Sequence, residues 1–420
     1  MKIIHINCSD AGSTGKIISD ISEYAFAEGH FSVLLCPTIT TENNKVLEKY
    51  SVCFKNEQYI NRRMGNVFGL QYGGAPHSTS CIKRHIEEIL PDVVHIHSAN
   101  CSMVNLYDLF SFLGKKGIPT IITNHAEFFY TGNCSHAKEC EKWKFGCGKC
   151  PRLREATTSL FFDRTHEAWE KMKNAIHKIH DIRVVSVSPW VYERSSISPI
   201  MDSIPQLTIF NGINTSIFYP RTTRLKEQLG IKDSTKVILY VTAAFNPLEY
   251  KNKGGGYIVE LAKRIEKEDA IVLVLGRSAK GAEDAIVGID NLKYLGMVSN
   301  QNLLAEYYSI ADVTVITSDR ETFSMPVAES ICCGTPVIGF KAGGPESIAY
   351  DKMSCFVDYG DISTLIHEVK DNWLDLKRKG AFSEYVTETK KMYSAENMAR
   401  KYLDLYKEIV GFENRNSNIP

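Results

Sequence analysis

The 420-residue sequence has no surplus of charge of either sign: 49 Lys and Arg balance 49 Asp and Glu. Binding to a nucleic-acid backbone relies on a basic surface, so this balance argues against nucleic acid as the main partner. The chain also lacks an apolar run of the about 18 residues required to cross a bilayer. Its opening, Met1-Lys-Ile-Ile-His-Ile-Asn7, begins a strand at once. It has no extended apolar segment followed by a small-residue cleavage site, so it does not read as a signal peptide. The expected location is cytoplasmic, with peripheral contact to the inner face of the plasma membrane left open. No internal repeat of solenoid type is visible.

The composition, 44% hydrophobic and 23% charged, is that of a soluble globular protein, and the length suggests two or three domains. The first half alternates short apolar runs (2–8, 31–36, 92–98, 119–124 and 183–188) with helical segments such as 16–28. Each run ends in polar or small residues, which suits a parallel sheet with loops at its carboxyl edge. Residues 56–80, rich in Gly, Asn and Tyr, read as an irregular excursion. The second half repeats the alternation, with strands at 236–242, 270–275, 291–295, 311–318 and 336–340 and helices at 255–267 and 301–309. An Asn-Gly turn at Asn211-Gly212 and Pro220 interrupt the pattern between the halves. The closing segment 394–410 is an amphipathic helix with Met398, Tyr402, Leu405 and Tyr406 on one face.

The densest chemistry lies between Glu321 and Glu329, two carboxylates eight residues apart. The apolar run before them reads as a buried strand. Ser324 is expected as an N-cap, Pro326 is tolerated in the first turn, and Gly334 followed by Thr-Pro336 stops the helix. A strand feeding a helix N-terminus is an anion site, because free N–H groups and the helix dipole favour phosphate. Carboxylates beside it can grip hydroxyls, so the implied ligand carries both phosphate and polyol.

This stretch, with Gly334-Thr-Pro-Val-Ile-Gly-Phe340 and Gly343-Gly-Pro-Glu346, resembles the family 4 glycosyltransferases. The resemblance covers most of the second half and, more loosely, the first. It implies the α/β GT-B fold: two facing Rossmann-like, doubly wound parallel-sheet domains with a cleft between them, the last helix crossing back onto the first. The expected domains are 1–207, on the acceptor side, 208–393, which binds nucleotide sugar, and 394–420, helix and tail on the first domain. The implied activity is retaining transfer of a hexosyl unit from a UDP- or GDP-linked sugar. The acceptor would be a glycan or lipid-linked glycan, in surface polysaccharide assembly. Two other readings stay open: a GT-B-like nucleotide-sugar epimerase, and a non-catalytic nucleotide-sensing protein.

The resemblance also assigns roles. Lys253, in Lys-Gly, would contact the donor diphosphate, and Glu321 the transferred sugar near the reacting carbon. Glu329 would accept from ribose hydroxyls, and Thr322, Phe323 and Ser324 would line the donor, the last two through their amides. An arginine common in the family is missing after the strand at 236, and Lys251 or Arg277 would substitute. Gly12 and Gly15 match the family's glycine-rich loop, although a tight strand-to-helix turn explains them equally. They do not form a P-loop, since Asp10 stands where glycine is needed and Ile17 where Ser or Thr would hold magnesium. His125, at a strand end, would reach the donor sugar. A cationic clamp with a helix N-terminus can stabilise a leaving diphosphate, so no metal cofactor is expected for catalysis.

Twelve cysteines are many for a chain expected in the cytoplasm, where disulfides are rare. Four of them, Cys134, Cys140, Cys147 and Cys150, fall within seventeen positions. Cys147-Gly-Lys-Cys150 is a knuckle spacing that turns two sulfurs to one ion, and four thiols suit tetrahedral zinc. Free thiols, a disulfide and an iron–sulfur cluster are the alternatives. Similar loops occur in capsule and colanic-acid-type members of the resembling family. Arg62, Arg63, Lys83 and Arg84 either meet a lipid diphosphate or anionic membrane, or form a solvated helix face.

Overall fold

The computed structural model describes residues 1–42, 45–279, 281–373 and 382–411. The chain divides into two compact units: Met1–Gly212 with the chain from Ala395, and Ile213–Ser394. The division therefore falls at 212/213, a few residues beyond the expected one, and the tail expected to follow the last helix lies, at 412–420, outside the described residues.

The first unit is built on a parallel seven-stranded sheet. Its strands are β1 Lys2–Ile6, β2 Phe31–Cys36, β3 Leu47–Ser51, β4 Val93–Ile96, β5 Thr120–Asn124, β6 Ile182–Ser186 and β7 Gln206–Thr208, in the order β3-β2-β1-β4-β5-β6-β7. The central strands are apolar on both faces because helices cover both, as parallel sheets require. On one face the helices Gly12–Ala27 and Ala395–Ile409 bring Ile17, Ile21, Met398, Tyr402 and Tyr406 against Ile3, Val93 and Ile121. Gly212 sits where the closing helix starts: a Cβ there would lie 2.6 Å from the Cα of Ala395.

Two readings need correction here. The stretch 56–80 is not irregular, because helices Glu57–Phe68 and Pro76–Ile89 occupy most of it. They escape a periodicity reading because Tyr59, Ile60, Met64 and Phe68 are exposed, so the first helix has no apolar stripe turned to a core. Edge strands β3 and β7 were not expected; β3 (Leu-Glu-Lys-Tyr-Ser) is largely polar and β7 has only three residues.

The second unit has a parallel six-stranded sheet. It comprises β8 Lys236–Phe245, β9 Ala270–Ser278, β10 Leu292–Gly296, β11 Val313–Ile316, β12 Val337–Phe340 and β13 Ser354–Val357, in the order β10-β9-β8-β11-β12-β13. Both sheets are doubly wound. The strand order reverses between β1 and β4 in the first unit and between β8 and β11 in the second. Ligands of such sheets bind outside the carboxyl ends of the strands at these reversals.

Candidate functional site

In the second unit, the chain leaving β8 carries Lys253 and the chain leaving β11 carries Glu321, so the two residues straddle the reversal point. Lys253 Nζ lies 2.8 Å from Glu321 Oε1, and Ser318 Oγ donates to the same oxygen at 2.5 Å. The backbone around Lys253 is fixed from below. Tyr240 and Thr317 hydroxyls donate to its carbonyl at 2.5 and 2.9 Å. Gly254 follows with φ +67°, and a Cβ there would lie 2.2 Å from the Thr317 carbonyl oxygen, so only glycine fits. The lysine thus reaches the carboxyl edge by construction.

Glu321 is held as firmly through its backbone. Its N–H donates to the Ala342 carbonyl at 3.0 Å and its carbonyl accepts from Gly344 N–H at 2.8 Å. Gly344 lies so close that a Cβ would meet the Thr322 carbonyl carbon at 2.4 Å and the Phe323 nitrogen at 2.5 Å. Glu346 accepts from the N–H groups of Ala342 and Gly343 at 2.9 and 2.7 Å. The Gly-Gly-Pro-Glu motif is therefore a clamp on the Glu321 backbone.

The helix Met325–Cys332 begins where expected, with Ser324 at its N-cap and Pro in the first turn. The expected side-chain cap does not form. Ser324 takes a left-handed conformation (φ +80°), and its hydroxyl is buried without a partner. No side chain caps this end: Pro326 brings no N–H to the first turn, and Val327 N–H donates to the Ser324 carbonyl at 3.2 Å. Phe323 packs its ring against Tyr393, 5.8 Å between centroids, so only its backbone is available to a ligand. Thr322 is half-buried at the point where the Gly344 backbone presses on the chain. Glu329 is half-buried and accepts from the Tyr308 hydroxyl at 3.0 Å; enclosure by the protein raises its carboxyl to about 7 against the opposing pull of that hydrogen bond. Arg277 ends β9 beside Ala244 of β8, exposed, with Nε 3.2 Å from Met297 Sδ. Lys251 is also exposed.

In the first unit, Gly12 opens its helix at φ +74°, and a Cβ on Gly15 would lie 2.7 Å from the Asp10 carbonyl. Asp10 anchors this loop: its carboxylate accepts from the N–H and hydroxyl groups of Thr40 and Thr41 at 2.6 to 2.9 Å. Where a P-loop needs glycine, this chain has a buried tether.

His125 is half-buried just past β5 and joins a row of imidazoles. His125 Nε2 lies 3.2 Å from His97 Nδ1, and His97 Nε2 lies 3.1 Å from His5 Nδ1. His95 contacts the Tyr406 hydroxyl through Nδ1 at 2.6 Å and the Thr123 hydroxyl through Nε2 at 2.7 Å. Burial lowers the imidazolium affinity of all four; His5 falls to about 3 and His125 to about 4. The row was not foreseen, although two signals pointed to it. His95 on β4 and His97 just past its end are two apart, the spacing of one face, and β1 sets His5 beside His95.

All twelve cysteines are free thiols. Cys134, Cys140, Cys147 and Cys150 border one small cavity in the loop after β5. Glu127, next to His125, ties that loop to the strand. Fully buried, it accepts from Arg194 Nε at 2.7 Å, the Tyr130 hydroxyl at 2.7 Å and Ala137 N–H at 2.6 Å.

Residues 221–388 match the model of the family described as Glycosyl transferases group 1. An N-acetyl-alpha-D-glucosaminyl L-malate synthase from Bacillus anthracis is 23% identical over 48% of this chain and 54% of its own length. The putative colanic acid biosynthesis glycosyl transferase WcaC of Escherichia coli is 19% identical over 76% of this chain and 77% of its own. Of several curated relatives the chain spans only about half the length: 54%, 42% and 53% in three cases. Among solved structures, sucrose-phosphate synthase from Thermosynechococcus elongatus superposes with TM-score 0.69 at 16% identity, covering 98% of this chain and 99% of that one. Anabaena HepE in complex with UDP and glucose gives 0.61 at 14%, covering 97% and 100%. Residues 221–388 are thus similar to the group 1 glycosyl transferases, and the two Rossmann-like parallel-sheet units have the GT-B fold.

Proposed function

We propose that the chain is a retaining glycosyltransferase that moves a hexosyl unit from a UDP- or GDP-linked sugar to a glycan or lipid-linked glycan in surface polysaccharide assembly. The observation that carries the reading is the Lys253–Glu321 pair at the carboxyl edge of β8 and β11, before the N-terminus of the helix Met325–Cys332, which no side chain caps. An ammonium and the positive end of a helix dipole at one edge suit a diphosphate. Glu321 then accepts from hydroxyls of the transferred sugar, while its contact with Lys253 sets the carboxylate's direction. Glu329 takes the ribose hydroxyls, and the amides of Phe323 and Ser324, with Arg277, complete the phosphate contacts. In the reaction the anomeric C–O bond to the diphosphate breaks and its electron pair stays on the phosphate. The acceptor oxygen bonds to the anomeric carbon from the same face, and the acceptor proton passes to the departing phosphate. Lys253 and the helix N-terminus stabilise the charge that develops on that phosphate, so the step requires no metal cofactor. His125, Gly12 and Gly15 of the first unit serve the sugar and acceptor side.

The cytoplasm is the proposed location. No helix among the described residues is long and apolar enough to cross a membrane. Arg62 and Arg63, on a helix that exposes Tyr59, Ile60, Met64 and Phe68, favour peripheral contact with an anionic membrane face.

A thermal-shift screen of UDP- and GDP-sugars, followed by product analysis with glycan acceptors, tests the reading. One donor class raises the melting point by mass action. Lys253→Ala or Glu321→Ala lowers turnover by about 10²–10³-fold, the scale for removing one charge-stabilising group. Absence of a shift with any nucleotide sugar refutes the donor assignment. Donor conversion without acceptor would mark an epimerase, and binding without turnover a nucleotide-sensing protein.

A further inference from the structure

Donor chemistry leaves the loop between β5 and the helix Thr165–Ile176 unexplained. Four sulfurs from this one loop, those of Cys134, Cys140, Cys147 and Cys150, border a cavity of about 20 Å³. That volume suits one water-sized particle, since about 10–15 Å³ is the least that holds a water.

The backbone beneath the sulfurs is set in an unusual form. Gly146, Cys147, Gly148 and Lys149 are consecutive residues with φ of +96°, +59°, +85° and +46°. Two of them are not glycine, and a left-handed non-glycine residue costs about 1–3 kcal/mol and persists only where its surroundings over-determine it. The surroundings do hold the main chain. Lys142 Nζ donates to the carbonyls of Gly148 and Lys149 at 3.1 and 2.8 Å, and Cys150 N–H donates to Asp163 at 2.5 Å. On the other arm the Trp143 indole N–H donates to the Cys140 carbonyl at 2.8 Å. These contacts fix backbone, while the Cys147 sulfur has only a long contact, 3.8 Å, to the Thr131 carbonyl. Strain stored in a knuckle that turns two sulfurs inward is the pattern of a ligand-holding loop.

A second cluster was weighed. The ligand atoms of His5, His95 and His97 all lie within 4.8 Å of one another, a spacing the four sulfurs do not share. Yet both nitrogens of His95 are engaged by hydroxyls and His5 Nδ1 by His97, so a cation there would break three contacts. Among the sulfurs, Cys147 has only its long contact to Thr131, and Cys150 faces the Arg152 backbone N–H, a bond that a thiolate ligand would keep.

We propose that Cys134, Cys140, Cys147 and Cys150 bind one zinc ion as thiolates, in a structural site that pins this loop to the end of β5. Binding releases four protons and leaves a tetrathiolate centre of charge −2, with no change of oxidation state. Zinc–sulfur distances of about 2.3 Å draw the four side chains together. The pin reaches His125 through Glu127, which holds Ala137 N–H of the loop and whose own N–H donates to the Ser135 carbonyl. The site stands independently of the donor reading.

The test is elemental analysis of the full chain, purified reduced and without chelator. The expected content is about one zinc per chain. The paired replacement Cys147→Ser with Cys150→Ser abolishes it, and Cys53→Ser, outside the loop, leaves it intact. Because the pair could misfold, a second measurement uses the natural sequence. A mercurial reagent releases zinc to a colorimetric indicator, and a strong chelator lowers the melting temperature, which zinc restores and magnesium does not. Less than about half an equivalent of zinc with four freely alkylated loop thiols, a loop disulfide by mass, or the visible absorbance of an iron–sulfur cluster would each overturn the proposal.

Discussion

Ser324 concentrates two costs in one side chain: a left-handed backbone and a buried hydroxyl without a partner, at 5% exposure. The left-handed conformation costs a non-glycine residue about 1–2 kcal/mol, while glycine's greater freedom in the unfolded chain gives back about 0.4–1 kcal/mol. Ser324→Gly should therefore stabilise the protein by about 1 kcal/mol once relief of the orphan hydroxyl is included. Ser324→Ala, which removes the hydroxyl and keeps the strain, should gain less. Urea unfolding of both variants checks this, and equal midpoints would show that backbone strain is not the larger cost. The histidine row invites a similar argument. His5 Nε2 is buried without a partner. An orphan acceptor is tolerated better than an orphan N–H. His5 should therefore carry its proton on Nδ1 and donate to His97, which in turn donates through Nδ1 to His125 Nε2. That polarity leaves the His125 proton on Nδ1. Nitrogen-15 shifts of labelled histidine should show the Nδ1-H form of His125, and the Nε2-H form would reverse the row.

Glycines separate by what their neighbours demand of each element. A Cβ on Gly344 would strike the backbone of Thr322 and Phe323 at 2.4 to 2.6 Å, whereas one on Gly12 would meet nothing within 4 Å. Gly344→Ala must push the turn off the Glu321 segment, at a cost of about 1–3 kcal/mol or more. Gly12→Ala pays only for its positive φ, about 1–2 kcal/mol. The discriminating measurement is donor affinity in calorimetry, which Gly344→Ala should weaken through displaced Glu321 while Lys253 stays intact. Unchanged affinity would mean that the clamp does not position the carboxylate. Elements of this kind were legible to differing degrees. Central strands such as β2 and β4 are buried on both faces, and continuous apolar runs reveal them. The helix Glu57–Phe68 was not legible, since its apolar residues face outward and left-handed Asn56 precedes it. Glu321, Lys253 and the Gly-Gly-Pro-Glu turn stood out because a local motif carries them. The Asp10 tether to Thr40 and Thr41, and the Tyr308 hydroxyl on Glu329, join residues some 20 to 31 positions apart, and no local pattern encodes such partners.

Across the whole molecule, acid acts on the two units with opposite signs. His5, His95 and His97 are fully buried in the first unit and held neutral, His5 with its value lowered to about 3. Their unfolded counterparts titrate near 6.5, so below that pH the unfolded state binds more protons and stability falls with acidification. His125, lowered to about 4, acts in the same direction, so each of the four contributes about 1.4 kcal/mol per pH unit, about 5 kcal/mol per unit together. Above pH 6.5 both states are neutral and the slope vanishes. Glu329, in the second unit, is raised from 4.5 to about 7, so between those values the folded state holds the extra proton and acid stabilises it. That opposing contribution is smaller, since one carboxyl is set against four imidazoles. Three of the four tryptophans, Trp143, Trp169 and Trp190, lie in the first unit, so intrinsic fluorescence reports chiefly on it. Its melting midpoint should be flat from pH 8 to 7 and drop steeply from pH 6.5 to 5. His5→Gln should flatten that drop by about a quarter, one proton of the row's four. A midpoint that stays level down to pH 5 in the natural sequence would mean that the histidine row is hydrated and already titrates in the folded protein.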